Sequence, residues 1–391
     1  MFDVWADVKG KPCLVGNLFA NPSRHESGVH VSFAYAQTWL KDPHGYAIDP
    51  ETLPLREGTF HFDGLFPAMD DGAPDRWGRI LIRRERPSVK LNALDYLFGL
   101  SDHTRVGNLR YCEAGTQRFQ GLGNEIPPLV RIPDLLAAAD RIETGNECRD
   151  DLRLLLGAGS PVGGARPKAS VVLNDGRLAI AKFPKADDER SIAKGEILAL
   201  RLAAMSGINV AEHNLLSIAG KDVSVIVRFD RIGNERFGFI SARTLLGGMQ
   251  GDLASYVDLA DAMRKHCAFP ERDLRELWSR IVFSRLVGNC DDHLRNHGFL
   301  RTASGWELSP AYDINPVPLN EQRAMSATRI SDTGSQGIST ALECASLFCI
   351  SGDQANQILK RQVEVIRGWT RQKFLSPRDK KAYQSAFNGT R

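Results

Sequence analysis

In the first 115 residues apolar side chains come in short runs rich in β-branched and aromatic types. Val4 to Val8, Leu14 to Leu18 and Val29 to Tyr35 predict strands, with Lys9-Gly10-Lys11-Pro12 as a turn between the first two. Asp75 to Leu81 then predicts the start of a helix, with Asp75 as its N-cap. Residues 116–150 hold Gly121, Gly123, Pro127, Pro128 and Pro133, which places a linker there, bridged by a helix from about Ile132 to Thr144.

Beyond it the pattern changes. A turn containing Gly157, Gly159, Gly163 and Gly164 leads to a predicted strand, Ala169 to Leu173; Asn174-Asp175-Gly176 then makes a hairpin turn to a return strand, Leu178 to Phe183. A helix follows from about Ala193 to Met205, closed by Gly207, and then two strands near Asn214 to Ile218 and Val223 to Phe229. After about residue 250 the period is helical. Ser255 and Asp258 form a capping box, Leu274, Leu277, Trp278, Ile281, Val282 and Leu286 mark a buried helix, and the tail predicts Ile358, Val363, Val365 and Ile366 on a buried face. The expected division is 1–115 β-rich, 116–150 linker, 151–250 mostly strands, and 251–391 helical. Strands first and helices second is an α+β, two-lobed layout.

Composition narrows this only a little. With 391 residues, 42% hydrophobic and 25% charged, the chain has ample core and is neither disordered nor fibrous. A net charge of +3 does not by itself point to nucleic acid. The seven cysteines contain no CxxC pair, which suggests a reducing compartment. The first residues are acidic and lack a signal-peptide pattern, and no apolar run reaches membrane-spanning length, so a soluble cytoplasmic protein is expected.

The densest chemistry is Asn289-Cys290-Asp291-Asp292-His293-Leu294-Arg295-Asn296, followed by a hairpin from Gly298 to Leu308 and by Tyr312-Asp313-Ile314. An Asp, an Asn five positions on and a second Asp beyond a hairpin is the order phosphoryl transfer uses. One carboxylate takes the hydroxyl proton; the amide and the second carboxylate hold Mg²⁺ against the phosphates. The bland reading is a helix end at Gly288 followed by polar turn residues. Zinc on Cys290, His293 and His297 is a third reading, but no further Cys or His stands close to complete a tetrahedron. His293 is read as a structural brace for this loop and is counted among the cofactor-binding residues.

Three other segments gain meaning beside it. Lys182, near the end of a strand, can neutralise phosphates, with Glu196 on the next helix as its partner; alone, both are ordinary surface residues. The segment from Gly157 to Lys168 can lie over phosphates, since glycine permits close backbone approach, but it is neither a Walker A nor a GxGxxG and reads equally as a turn-rich loop. In Val225 to Arg231 the backbone can serve as a hinge for adenine with Asp230 at the ribose, although the spacing alone favours an edge strand with a surface Asp–Arg pair.

Taken in order, these segments resemble the HipA family of bacterial serine/threonine kinases, toxins of HipBA-type toxin–antitoxin pairs. The resemblance rests on Val15 to Leu18, Ser32 to Tyr35, Trp39-Leu40, Phe62 to Pro67, Asp75 to Arg79, Val106 to Leu109, Gly163 to Ala169, Asp291 to Asn296 and Tyr312 to Ile314. It implies a fold related to protein and phosphatidylinositol kinases, with ATP and Mg²⁺ as cofactors. Asp291 would be the catalytic base, Asn296 and Asp313 metal ligands, and Lys182 the phosphate contact. Gly163 and Gly164 would lie over the phosphates, Phe229 at the adenine hinge and Asp230 at the ribose. It further implies autophosphorylation, for which Ser160 is the candidate beside Pro161. The implied partners are a helix-turn-helix antitoxin of HipB type, operator DNA reached mainly through it, and a protein substrate such as an aminoacyl-tRNA synthetase. Two competing functions are a catalytically weak corepressor of the same fold and a small-molecule or lipid kinase.

Overall fold

A computed structural model describes residues 1–22, 28–119, 126–159, 164, 166–248, 254–319, 321–322, 328–332 and 336–387. The chain forms two compact units whose segments interleave. The first takes Met1–Ala186, Val227–Ile240 and Leu300–Thr302, and the second takes Asp187–Ile226, Ser241–Phe299 and Ala303–Arg391.

The first unit begins with β1 (Phe2–Val8), β2 (Lys11–Pro22), β3 (Val29–Tyr35), β4 (Thr59–Asp63) and β5 (Leu109–Glu113), an antiparallel sheet in the order β4-β3-β2-β1-β5. Lys9 and Gly10 take φ of 52° and 78°, the two positive angles of a primed turn, whose twist matches that of the strands it joins. Val4, Ala6, Val15, Val31 and Phe33 are fully buried. Helix α1 (Arg76–Glu85) starts where expected, with Asp75 accepting the Gly78 N–H at 2.9 Å.

Residues 116–150 fall inside the first compact unit. Helices α2 (Ile132–Thr144) and α3 (Arg149–Gly157) form a hairpin that turns at Gly145 and is tied by the Arg141–Asp151 ion pair. Just before it, Pro127 accepts the Val172 N–H at 3.0 Å, which joins this stretch to β6 (Lys168–Val172). β6 pairs antiparallel with β7 (Leu178–Lys182), placing Lys168 opposite Lys182. Gly and Pro punctuate loops inside a compact unit as readily as between units.

In the second unit, α4 (Ile192–Met205) is capped by Ser191 and followed by Gly207 at φ 92°. A hairpin of β8 (His213–Ile218) and β9 (Lys221–Val227) comes next. Helix α5 (Tyr256–His266) opens on the Ser255/Asp258 capping box. The core gathers on α6 (Pro270–Leu286), where Leu274, Leu277, Trp278, Ile281 and Val282 are fully buried. Helix α7 (Gly352–Arg367) departs from its predicted face. Ala355, Gln362 and Ile366 are buried, whereas Ile358, Val363 and Val365 are half-buried. Gln362 takes an inner position because its amide donates to the Ser279 carbonyl of α6 at 2.8 Å. The last helix among the described residues is α8 (Pro377–Tyr383). No helix among the described residues is long and apolar enough to cross a membrane.

Candidate active site

The loop after α6 is built by its backbone. Gly288 takes φ 66°, and the Asn289 N–H returns to Ser284 O at 2.9 Å, which ends the helix and turns the chain. Asp291 is exposed, Asp292 is buried, and a 3₁₀ turn follows over Leu294–Asn296. The Asn296 N–H donates to His293 O at 2.8 Å, and its side-chain Nδ2 donates to Asp291 O at 2.9 Å. With the amide nitrogen committed, Oδ1 is the Asn296 atom suited to a cation. The His293 N–H donates to Asp291 O at 3.0 Å, while its buried Nδ1 has no partner among the described residues.

Behind the loop lies a buried trio that the sequence did not announce. His297 Nε2 sits 3.0 Å from Asp292 Oδ1 and 2.9 Å from the Tyr256 hydroxyl. Burial pushes the Asp292 carboxyl up, but His297, Tyr256 and Arg285 together outweigh it and hold the group below the ordinary carboxylate range. Tyr256 is driven well above its usual value by burial, with Asp292 adding to the effect. Two of the three residues weighed for zinc have other contacts: His297 belongs to this trio, and the Cys290 thiol reaches Gly288 O at 3.4 Å. Among the described residues, no group of three or more His, Cys, Asp and Glu side chains is arranged to hold a metal.

The segment after the hairpin is tied to the loop at three points. The Tyr312 hydroxyl donates to Arg295 O at 2.8 Å, the Asn315 N–H to Asn289 Oδ1 at 3.4 Å, and the Val317 N–H to Gly288 O at 3.2 Å. Between the first two ties stands Asp313, half-buried, with φ of 56°. A non-glycine residue there is strained and persists only where its surroundings impose it, a state concentrated at functional sites. Asn315 Nδ2 donates to Asp313 Oδ1 at 3.0 Å and orients the carboxylate. An amide oxygen and a carboxylate on tied segments are hard oxygen donors, which fits Mg²⁺ shared with phosphates better than a nitrogen- and sulfur-bound metal.

Apart from Glu196, the other expected residues belong to the first unit. Lys182 is the last residue of β7 and half-buried. Opposite it, Lys168 is 1% exposed; its ammonium lies 2.5 Å from Asp75 and 3.0 Å from the carbonyl of Gly164. Asp75 therefore caps α1 and neutralises a buried lysine, a second role that its capping pattern does not disclose. Ser160 and Gly163 lie outside the described residues. Phe229 is half-buried, its ring centroid 6.4 Å from that of Phe239. Asp230, read as a surface or ribose-facing carboxylate, is 2% exposed and held by Arg228, Arg231 and the Gly107 N–H. Glu196, on the second unit's α4, is 2% exposed and accepts from the Ser224 hydroxyl at 2.8 Å.

Comparison with known proteins agrees with this architecture. Residues 6–112 match the HipA N-terminal domain and residues 160–369 the HipA-like C-terminal domain. A Sinorhizobium fredii protein, Y4mE, named as a candidate kinase, is 26% identical over 323 residues, covering 73% of this chain and 71% of that protein. The serine/threonine-protein kinase toxin HipA of Shewanella oneidensis is 23% identical over 189 residues, covering 41% of this chain and 44% of the toxin. Among solved structures, the Shewanella oneidensis HipA, HipB and operator DNA complex matches 100% of this chain and 96% of the matched chain, with a TM-score of 0.74 at 16% identity. With both domain families matched in order and the second alone covering more than half its length, the chain belongs to the HipA family.

Proposed function

We propose that this chain is a serine/threonine protein kinase that uses ATP and Mg²⁺ and acts as the toxin of a toxin–antitoxin pair. The observation that carries the reading is the tied loop. Exposed Asp291, Asn296 with its amide oxygen directed by the bond to Asp291 O, and strained Asp313 stand on two segments joined by three hydrogen bonds.

In this reading Asp291 accepts the proton of the substrate hydroxyl as its oxygen bonds to the γ-phosphorus and the bond to the β-phosphate oxygen breaks. Asn296 and Asp313 would hold Mg²⁺, which when bound screens the phosphate charge. Lys182 contributes a fixed positive charge, and Gly164 a backbone that phosphates can approach. The ribose role read for Asp230 is not carried forward, because its carboxylate is buried against two guanidinium groups. Ser160 remains the proposed autophosphorylation site on its sequence position. A HipB-type antitoxin, with operator DNA bound through it, is the proposed partner by likeness to the Shewanella complex.

The test is incubation of the purified protein with labelled ATP and Mg²⁺, beside Asp291→Gln. Label on the wild type alone is expected, with the variant slowed by about 10²–10⁴, the usual worth of a general base. Variant activity within tenfold of wild type would remove Asp291 from the role. A folded wild type with no turnover would remove the kinase reading itself.

A further inference from the structure

The strand that enters the proposed adenine hinge ends in a charge cluster whose partners come from the other family domain. Arg228 is 6% exposed; its guanidinium grips Asp230 at 2.9 and 2.6 Å and donates to the carbonyls of Thr104 at 2.5 Å and Arg105 at 2.9 Å. Arg231 donates to Arg105 O at 2.6 Å, Gly107 O at 2.7 Å and Asp230 Oδ2 at 3.0 Å. The Gly107 N–H closes the ring on Asp230 Oδ2 at 2.8 Å. Gly107 itself takes φ 77°, and a Cβ there would meet the backbone nitrogen of Phe239 at 3.2 Å. Further out, Asp102 joins Arg110 and Arg236.

Thr104, Arg105 and Gly107 lie within the HipA N-terminal domain match, whereas Arg228, Asp230 and Arg231 lie within the C-terminal one. Phe229 sits between the two clamped residues. We propose that the Thr104–Gly107 turn is a positioning element for the nucleotide hinge. Arg228 and Asp230 transmit it, so nucleotide affinity depends on the N-terminal domain. This rests on the kinase reading, and specifically on Phe229 as the adenine contact.

The clamp satisfies every requirement of a rigid mount. Its charges are buried, with the Asp230 carboxylate gripped by two guanidinium groups, and the carbonyls of Thr104, Arg105 and Gly107 receive guanidinium hydrogens. A mount of this kind sets where the Phe229 backbone lies and touches no reacting atom. Loosening it should weaken nucleotide binding and spare the chemical step.

The experiment is full-chain Arg228→Met and Arg228→Lys, with binding of a fluorescent ATP analogue and Mg²⁺ measured beside kcat at saturating ATP. Arg228→Met is expected to raise the Kd and the KM for ATP at least tenfold while kcat stays within about threefold. Arg228→Lys, able to keep one contact to Asp230, should fall between. Hydrogen exchange on the wild type supplies a readout that needs no variant: Mg-ATP should slow the peptide covering Thr104–Gly107. Unchanged Kd in Arg228→Met, or unchanged exchange in that peptide while the wild type binds nucleotide, overturns the positioning role alone. A folded wild type that binds no ATP overturns the kinase reading, and the inference with it.

Discussion

A single backbone angle makes the sharpest test at the residue scale. Asp313 is held at φ 56°, where a non-glycine residue costs on the order of 1–3 kcal/mol and glycine costs little. If the carboxylate is why the strain is tolerated, stability and activity should part at this position. Asp313→Gly is expected to melt at or above the wild-type temperature and to lose phosphoryl transfer, whereas Asp313→Ala should lose activity with no gain in melting temperature. Calorimetry beside a phosphorylation assay checks both, and a Gly variant that keeps activity would free Asp313 from metal binding. The ingredients of this loop were legible because Asp291, Asn296 and Asp313 are near in sequence and polar where an apolar helix has just ended. The Asn289 and Asn315 ties were not, since an asparagine in a loop has the same one-letter appearance whether it caps a turn or joins two segments.

At the element scale, α4 is seated by the last described helix. Gly195 faces Tyr383, and a Cβ on Gly195 would lie 2.2 Å from the Tyr383 hydroxyl and 2.6 Å from its ring carbon. That hydroxyl donates to Ser191 O at 2.8 Å, and Lys194 reaches Asp379 at 3.0 Å, so α8 grips the first turns of α4 next to Glu196. Gly195→Ala should therefore destabilise the fold by about 1–3 kcal/mol through overpacking, although alanine is the better helix former by about 1 kcal/mol. Adding Tyr383→Phe should recover part of the loss, because it removes the nearest atom. Urea unfolding of the three proteins decides it, and a Gly195→Ala protein as stable as wild type would show that Tyr383 is not seated there. The start of α4 was readable from Ser191 and its end from Gly207, because caps act within one turn. Its grip on α8 spans 192 positions, from Ser191 to Tyr383, and leaves no local periodic mark.

For the whole molecule, the buried charges predict how stability responds to acid. Burial raises the Asp230 carboxyl, but Arg228 and Arg231 more than offset it and bring the group from 3.8 down to about 2. A depressed carboxylate contributes stability that is complete above its unfolded value and is lost as pH falls through the folded one. The contribution is on the order of 2 kcal/mol and fades between about pH 4 and 2. Unfolding midpoints across that window should fall less steeply in Asp230→Asn than in wild type; equal slopes would mean that the pairing is not felt. Asp49 works in the opposite sense. Burial raises it from 3.8 to about 6, so the stability it contributes at low pH is lost as pH rises through that value.

The order in which a ribosome delivers the clamp has its own consequence. The Gly107 amide and the Asp230 carboxylate are 123 residues apart, and Leu300–Thr302 also belongs to the first compact unit. At the usual 5–20 residues per second, roughly 6–25 s pass after Gly107 is made before Asp230 exists. Through that interval the N-terminal sheet can close, since β1 to β5 are already synthesised, while the Thr104 and Arg105 carbonyls still await their guanidinium partners. A nascent chain stalled near residue 200 should therefore display a folded sheet with an unfinished edge, the form in which chaperones would meet this protein first.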